Sequence, residues 1–95
     1  MKTNFTDSKT VSDLAAEMLE NTKQAESVNN IMRLEKDGVV AYVAEVTMIA
    51  TKKLVAHEYV NGQEPKCLNI SLSDALKGYR KHGVECTVVS VFTVI

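Results

Sequence analysis

The stretch VECTVVSVFTVI, from Val84 to Ile95, is built almost wholly of β-branched and aromatic residues. Such residues fit a pleated, packed surface, so we predict a β-strand here. Alternate positions fall on two faces, and both faces are largely apolar. Two apolar faces are typical of a strand that is covered on both sides or inserted between neighbours. The rest of the chain is therefore expected to be arranged around this strand.

A short amphipathic helix is predicted just before this strand. Ser71 is a good N-cap residue, and Gly83 is the expected C-terminal stop. Apolar residues at helical spacing predict the buried face: Leu72, Ala75, Leu76 and Tyr79. The exposed face carries Lys77, Arg80 and Lys81, whose charges favour the negative end of the helix dipole.

A β-hairpin is predicted around Asp37-Gly38, the strongest turn signal in the chain. These two residues readily adopt the positive φ angles that a tight hairpin needs. The strands on either side are predicted at Ile31–Glu35 and Val39–Ala50.

A third strand is predicted at Leu54–Val60, followed by a second turn signal at Asn61-Gly62. Residues Gln63–Ile70 contain Pro65, the only proline. Because proline cannot donate to a sheet ladder, this segment is predicted as an edge strand or a loop.

Residues 1–9 are mostly polar and are predicted to form a flexible lead-in, with Phe5 as a candidate anchor. Thr10 is the expected N-cap of a first helix from Val11 to about Gln24. Its outer face is acidic: Asp13, Glu17 and Glu20.

The predicted order is α-β-β-β-(β)-α-β. This order predicts an α+β fold, with a mainly antiparallel sheet of four to five strands and two helices on one face. Residues 10–95 are expected to form a single domain. The last strand reaches its place across the second helix, so parallel and antiparallel pairing both remain open.

Composition and charge narrow the functional classes. The 95 residues carry 11 basic and 12 acidic side chains, a net charge of -1, so no global field attracts nucleic acid or an anionic membrane. Cys67 and Cys86 are too few for a disulfide scaffold and suit a reducing compartment. No stretch resembles a signal peptide or a membrane span. We therefore expect a cytoplasmic protein.

The chemically reactive residues do not form a recognised motif. Cys67, Cys86, His57 and His82 lack zinc-site spacing, and burial in a strand makes Cys86 a poor nucleophile even beside a histidine base. Glu45 and Glu58 are a candidate carboxylate pair, although such residues are more often solvated. Phosphate-binding and nucleophile-elbow motifs are absent. We expect no catalytic, cofactor-binding or metal-binding residues, and a non-enzymatic protein.

The sequence favours a protein–protein interaction module, a regulator or inhibitor of a larger partner. Small size without motifs is typical of compact inhibitors encoded by phages or other mobile elements. A homodimer is expected, because two short helices leave apolar strand surface uncovered; a two-fold contact between sheet faces or between terminal strands would bury it. The residues expected to bind a partner are Val43, Ile49, Lys77, Arg80 and Lys81.

The alternative is a small nucleic-acid-binding module. Lys52, Lys53 and the basic residues of the second helix favour it. In element order alone, the chain resembles a double-stranded-RNA-binding domain. It departs from that family at the start of the second helix, where Asp74 replaces the basic cluster. A small hydrolase or isomerase is a third alternative.

Overall fold

The computed structural model describes residues 3–90 and, as backbone only, residues 93–94. Helix α1 spans Val11–Asn21, and helix α2 spans Leu72–Lys81. The strands are β1 (Ala25–Lys36), β2 (Val39–Met48), β3 (Leu54–Tyr59), β4 (Lys66–Cys67), β5 (Glu85–Val88) and β6 (Thr93–Val94). They form an antiparallel sheet in the order β4-β3-β2-β1-β5, and β6 also pairs with β1. The predicted α+β class and antiparallel sheet are confirmed.

The central hairpin forms at the predicted turn. Lys36 pairs with Val39, and the two residues between them have positive φ angles, 52° for Asp37 and 78° for Gly38. Both angles match the tight turn that suits the twist of the flanking strands. The turn therefore fixes the register of β1 against β2.

Strand β1 is longer than predicted, because Ala25–Asn30 extends it. The ladder to β2 is irregular between Asn29 and Met32, where Asn30 adopts a positive φ of 51°. Because of this bulge, Val28 and Ile31, which are three positions apart, pack in the same core. The polar Asn29 is buried, and its Nδ2 donates to Glu45 O at 3.1 Å. Because buried polar residues such as Asn29 interrupt the apolar pattern, hydrophobicity alone does not predict this half of β1.

Helix α1 covers one face of the sheet. Thr10 Oγ1 accepts from Asp13 N at 3.2 Å, as expected for the N-cap. The helix ends at Asn21, and Thr22 Oγ1 donates to Met18 O at 2.6 Å. Beneath it lies an aromatic-rich core, core one: Phe5, Leu14, Ala15, Met18, Val28, Ile31, Tyr42, Ala44, Val46 and Tyr59.

Helix α2 covers the opposite face, so the prediction that both helices share a face is wrong. Its core, core two, contains Met32, Leu34, Val43, Ala56, Leu72 and Ala75. The neighbours Tyr42 and Val43 point to opposite faces because side chains alternate along a strand. Burial on both sides explains why β2 has apolar residues at consecutive positions. Neither helix of the described residues is long and apolar enough to cross a membrane.

The final stretch forms an edge, not the centre, of the sheet. Strand β5 pairs only with β1 in the sheet order, in antiparallel fashion, and β6 pairs further along β1. The continuous strand predicted for Val84–Ile95 is therefore divided, and the expectation that it is inserted between neighbours is wrong. Val91, Phe92 and Ile95 lie outside the described residues.

The segment before α1 is packed against the sheet. Phe5 is buried with its ring 5.2 Å from that of Tyr59, and Phe5 N donates to Asn61 Oδ1 at 3.1 Å. Arg33 donates to the Asp7 carboxylate, and the Tyr42 hydroxyl also donates to it. The predicted anchor at Phe5 is present. The flexibility of residues 1–9 stays a prediction.

Candidate functional site at the open edge of the sheet

The structure separates the residues that the sequence predicts to bind a partner. Val43 is fully buried in core two, so its prediction as a surface residue is wrong. Ile49 is 53% exposed and follows the C-terminal end of β2. Arg80 and Lys81 are exposed near the opposite end of β2, where Lys36 Nζ donates to His82 O at 2.8 Å. Ile49 is therefore separated from Arg80 and Lys81 by the length of β2.

The charged helix faces also lie on opposite sides of the sheet. On α1, Asp13 and Glu20 are exposed, while Glu17 is paired with Lys9 at 3.5 Å. On α2, Lys77, Arg80 and Lys81 are all exposed. A dimer that stacked two equivalent sheet faces would therefore place like charges against each other.

The outer side of β5 presents backbone groups that can pair with another strand. Val89 N donates inward to Ile31 O at 2.9 Å, whereas Val84 N donates away from β1, to Tyr79 O at 2.9 Å. Because inward and outward groups alternate along an antiparallel strand, Glu85 and Thr87 bond to β1. The N–H and C=O groups of Cys86 and Val88 then point outward. Among the described residues, none forms a strand on this side of β5.

The side chains of β5 make this edge apolar on the side of α2. Val88 is 62% exposed and lies opposite Met32, a residue of core two. Cys86 is half-buried and packs against the same core beneath α2. On the other face, Thr87 is exposed opposite Arg33. The edge therefore combines free backbone pairing groups with an exposed apolar side chain.

A cavity of about 400 Å³ lies near the other edge of the sheet. Its lining includes His57, Cys67, Glu64 and Lys23. His57 is buried, and this burial lowers the pKa of its imidazole, although the contact of Nδ1 with Val55 O (3.3 Å) opposes the shift. The neutral imidazole is thus favoured in the folded protein.

Cys67 lines the same cavity as His57, but its thiol is hydrogen-bonded to Asn69. His57 and Cys67 are directly opposite across β3 and β4, and Cys67 Sγ donates to Asn69 Oδ1 at 3.4 Å. Cys86 Sγ instead contacts Val84 O at 3.7 Å. In the described part of the chain, no three histidine, cysteine or carboxylate side chains form a group suited to a metal ion.

The two candidate carboxylates have separate partners. Glu58 Oε2 accepts from the Tyr79 hydroxyl at 2.6 Å, and Glu45 Oε1 accepts from Asn30 Nδ2 at 3.2 Å. Burial, together with the bond to Glu58, raises the pKa of Tyr79. These contacts join α2 to β3 and support the bulge in β1, so both carboxylates have structural roles.

The sequence indicates that the terminal strand is a candidate for pairing across an interface, but it does not single out Thr87 and Val88 as edge residues. Its pattern of two apolar faces does not distinguish a central strand from an edge strand whose exposed face binds a partner. Comparison of the chain with known protein families, curated proteins and solved structures finds no match.

Proposed function

We propose that the protein is a non-enzymatic binding module whose partner protein adds a strand to the outer edge of β5. The observation that carries this proposal is the outward N–H and C=O groups of Cys86 and Val88, next to the exposed Val88 side chain. In this mode of binding, backbone hydrogen bonds give affinity and alternate side chains give specificity. A regulator or inhibitor acts in this way when the strand it captures belongs to the working surface of its partner.

The state of the cysteines supports a cytoplasmic setting for this module. Cys67 and Cys86 are both free thiols, and Cys67 is exposed. Reducing compartments maintain exposed thiols in this state.

Val88→Lys tests the proposed binding edge. A lysine on an edge strand opposes strand addition, because an incoming strand would have to desolvate its charge. We expect capture of the partner from an extract of the producing cells, measured by quantitative mass spectrometry, to fall at least about tenfold, or 1.4 kcal/mol.

Val39→Lys is the matched control, because Val39 is 66% exposed at the hairpin, away from the outer side of β5. This variant is expected to capture the same protein as the wild type. Equal capture by the wild type and Val88→Lys would reject the β5 edge as the binding site. Loss of capture by Val39→Lys alone would instead place the site at the hairpin.

The exposed cations of α2 favour a nucleic-acid-binding module as the second candidate. Two observations weaken it. Ser71 Oγ caps the start of α2 by accepting from Asp74 N at 3.1 Å, which leaves the Asp74 carboxylate in the first turn, and Lys52 is paired with Glu26. A gel-shift assay at two salt concentrations separates the candidates. Binding that weakens steeply with salt and is lost in Lys77→Ala would support the nucleic-acid function.

A further inference from the structure

We propose that the strand received by β5 is the β5 strand of a second copy, in antiparallel register with Thr87 opposite Thr87. This inference rests on the proposed function, because it names the partner of the same edge. The result is a continuous antiparallel sheet that runs through both copies. The argument depends on the directions of the backbone groups, the exposed side chains and the charges of the helices.

The backbone directions select this register. Cys86 and Val88 supply the outward backbone groups of β5. A ladder formed by β5 alone therefore places Cys86 of each copy opposite Val88 of the other copy. A shift in one direction requires Val84, whose N–H is already bound to Tyr79 O. A shift in the other direction requires Ser90, whose N–H is bound to Ile31 O at 3.2 Å. The register centred on Thr87 avoids both.

The side chains are complementary in the same register. Each exposed Val88 lies opposite Cys86 of the second copy, beside core two and beneath α2 of that copy. The two Thr87 side chains meet on the other face, and threonine pairs are favourable across strands. Glu85 lies opposite Val89, so no like charges face each other directly across the new ladder.

The helix charges favour this edge contact over a contact between sheet faces. Antiparallel pairing at an edge relates the copies by a two-fold axis perpendicular to the sheet. Both α1 helices then lie on one face and both α2 helices on the other. Stacked faces would instead oppose the carboxylates of two α1 helices or the cations of two α2 helices.

The first test measures self-association. The ladder is short, so dissociation is expected at higher concentrations than for an obligate dimer, and light scattering should cover about 1 µM to about 1 mM. We expect a dimer mass to appear in this range and the dissociation constant to rise at least about tenfold in Val88→Lys. Val39→Lys should leave it unchanged. A monomer at every concentration would overturn the inference.

The second test fixes the register by cross-linking. Directly opposite residues without mutual backbone bonds have Cα atoms about 4.5 Å apart, which a disulfide can bridge. In a Cys67→Ser background, Thr87→Cys should form a covalent dimer with glutathione disulfide as the electron acceptor. The background itself and its Val39→Cys variant should remain monomeric on a non-reducing gel.

Cross-linking of the background through Cys86 would overturn the register, because it places the two Cys86 residues opposite each other. The result also separates this inference from the proposed function. If the chain stays monomeric and Val88→Lys still loses capture of another protein, the edge binds a different occupant. If neither dimer formation nor capture depends on Val88, both proposals fail.

Discussion

The two edges of the sheet complete their hydrogen bonding in different ways. Strand β4 has only two residues, follows Pro65 and begins with Lys66. The chain beyond β4 continues to pair with β3, since Leu68 N donates to Ala56 O at 3.0 Å and Ala56 N donates to Ile70 O at 2.8 Å. A short strand, a proline and a lysine are devices that oppose the addition of another strand. This edge is closed by its own loop.

The β5 edge is also short, at four residues, but it lacks the proline and the lysine of the β4 edge. Glu85–Val88 contains neither proline nor lysine, and its outward groups have no strand beside them among residues 3–90 and 93–94. The β4 edge therefore opposes the addition of another strand, whereas the β5 edge permits it. Under the proposed function, pairing at β5 serves binding, whereas pairing at β4 serves the stability of the domain.

Proline substitutions at neighbouring positions give the largest expected effect on this comparison. Thr87→Pro removes an N–H that bonds to β1 and leaves a carbonyl of β1 unpaired, so we expect a loss of about 2–3 kcal/mol in the free energy of unfolding. Val88→Pro removes an outward N–H, so the expected loss is about 1 kcal/mol or less. Urea denaturation measures both values. Equal losses at a concentration where the chain is monomeric would mean that the outward side of β5 is already paired within one copy.

The sequence predicts those parts of the fold that depend on local chemistry. The turn at Asp37-Gly38 and the caps at Thr10 and Ser71 form as expected, because each needs only a few adjacent residues. The end of α2 also forms as predicted: Gly83 has a φ of 78°, and its N–H donates to Arg80 O at 3.1 Å.

The sequence does not predict features that depend on which elements meet. The sequence predicts Val43 at the surface because it places both helices on one face of the sheet, yet α2 packs on the other face and buries Val43. The edge at Thr87 and Val88 has a related cause. In a strand with two apolar faces, the hydrophobic pattern specifies neither the neighbours nor the direction of the backbone groups.

A pH-dependent loss of stability is expected at the closed edge, from His57. Burial places the folded-state pKa of His57 below the unfolded value of about 6.5, so the unfolded state binds more protons between the two values. The stability from the neutral imidazole is therefore complete above about pH 6.5 and falls as the pH drops toward the folded-state pKa. Lys23 and Glu64 line the same cavity.

Thermal unfolding from pH 7.5 to pH 5 tests this expectation. His57→Phe should reduce the pH dependence, because phenylalanine keeps a ring beside Tyr59 without a titrating group. His82→Gln is the matched control, since His82 is exposed. The same pH dependence in His57→Phe and the wild type would show that the closed edge has no role in acid sensitivity.

The smallest expected effect comes from Gly78, on the side of α2 that faces the closed edge. A glycine inside a helix costs about 1 kcal/mol relative to alanine. A Cβ at this position meets no atom within 4 Å, so the fold of the described residues does not require glycine there. Gly78 also lines an apolar hollow of about 260 Å³ with Leu68 and Ile70. We expect Gly78→Ala to stabilise the protein by up to about 1 kcal/mol in urea denaturation and to leave dimer formation and partner capture unchanged.

Stabilisation with loss of capture would instead show that a partner approaches the backbone at Gly78. The binding surface would then lie on the side of β4, and the contrast between the two edges would be reversed.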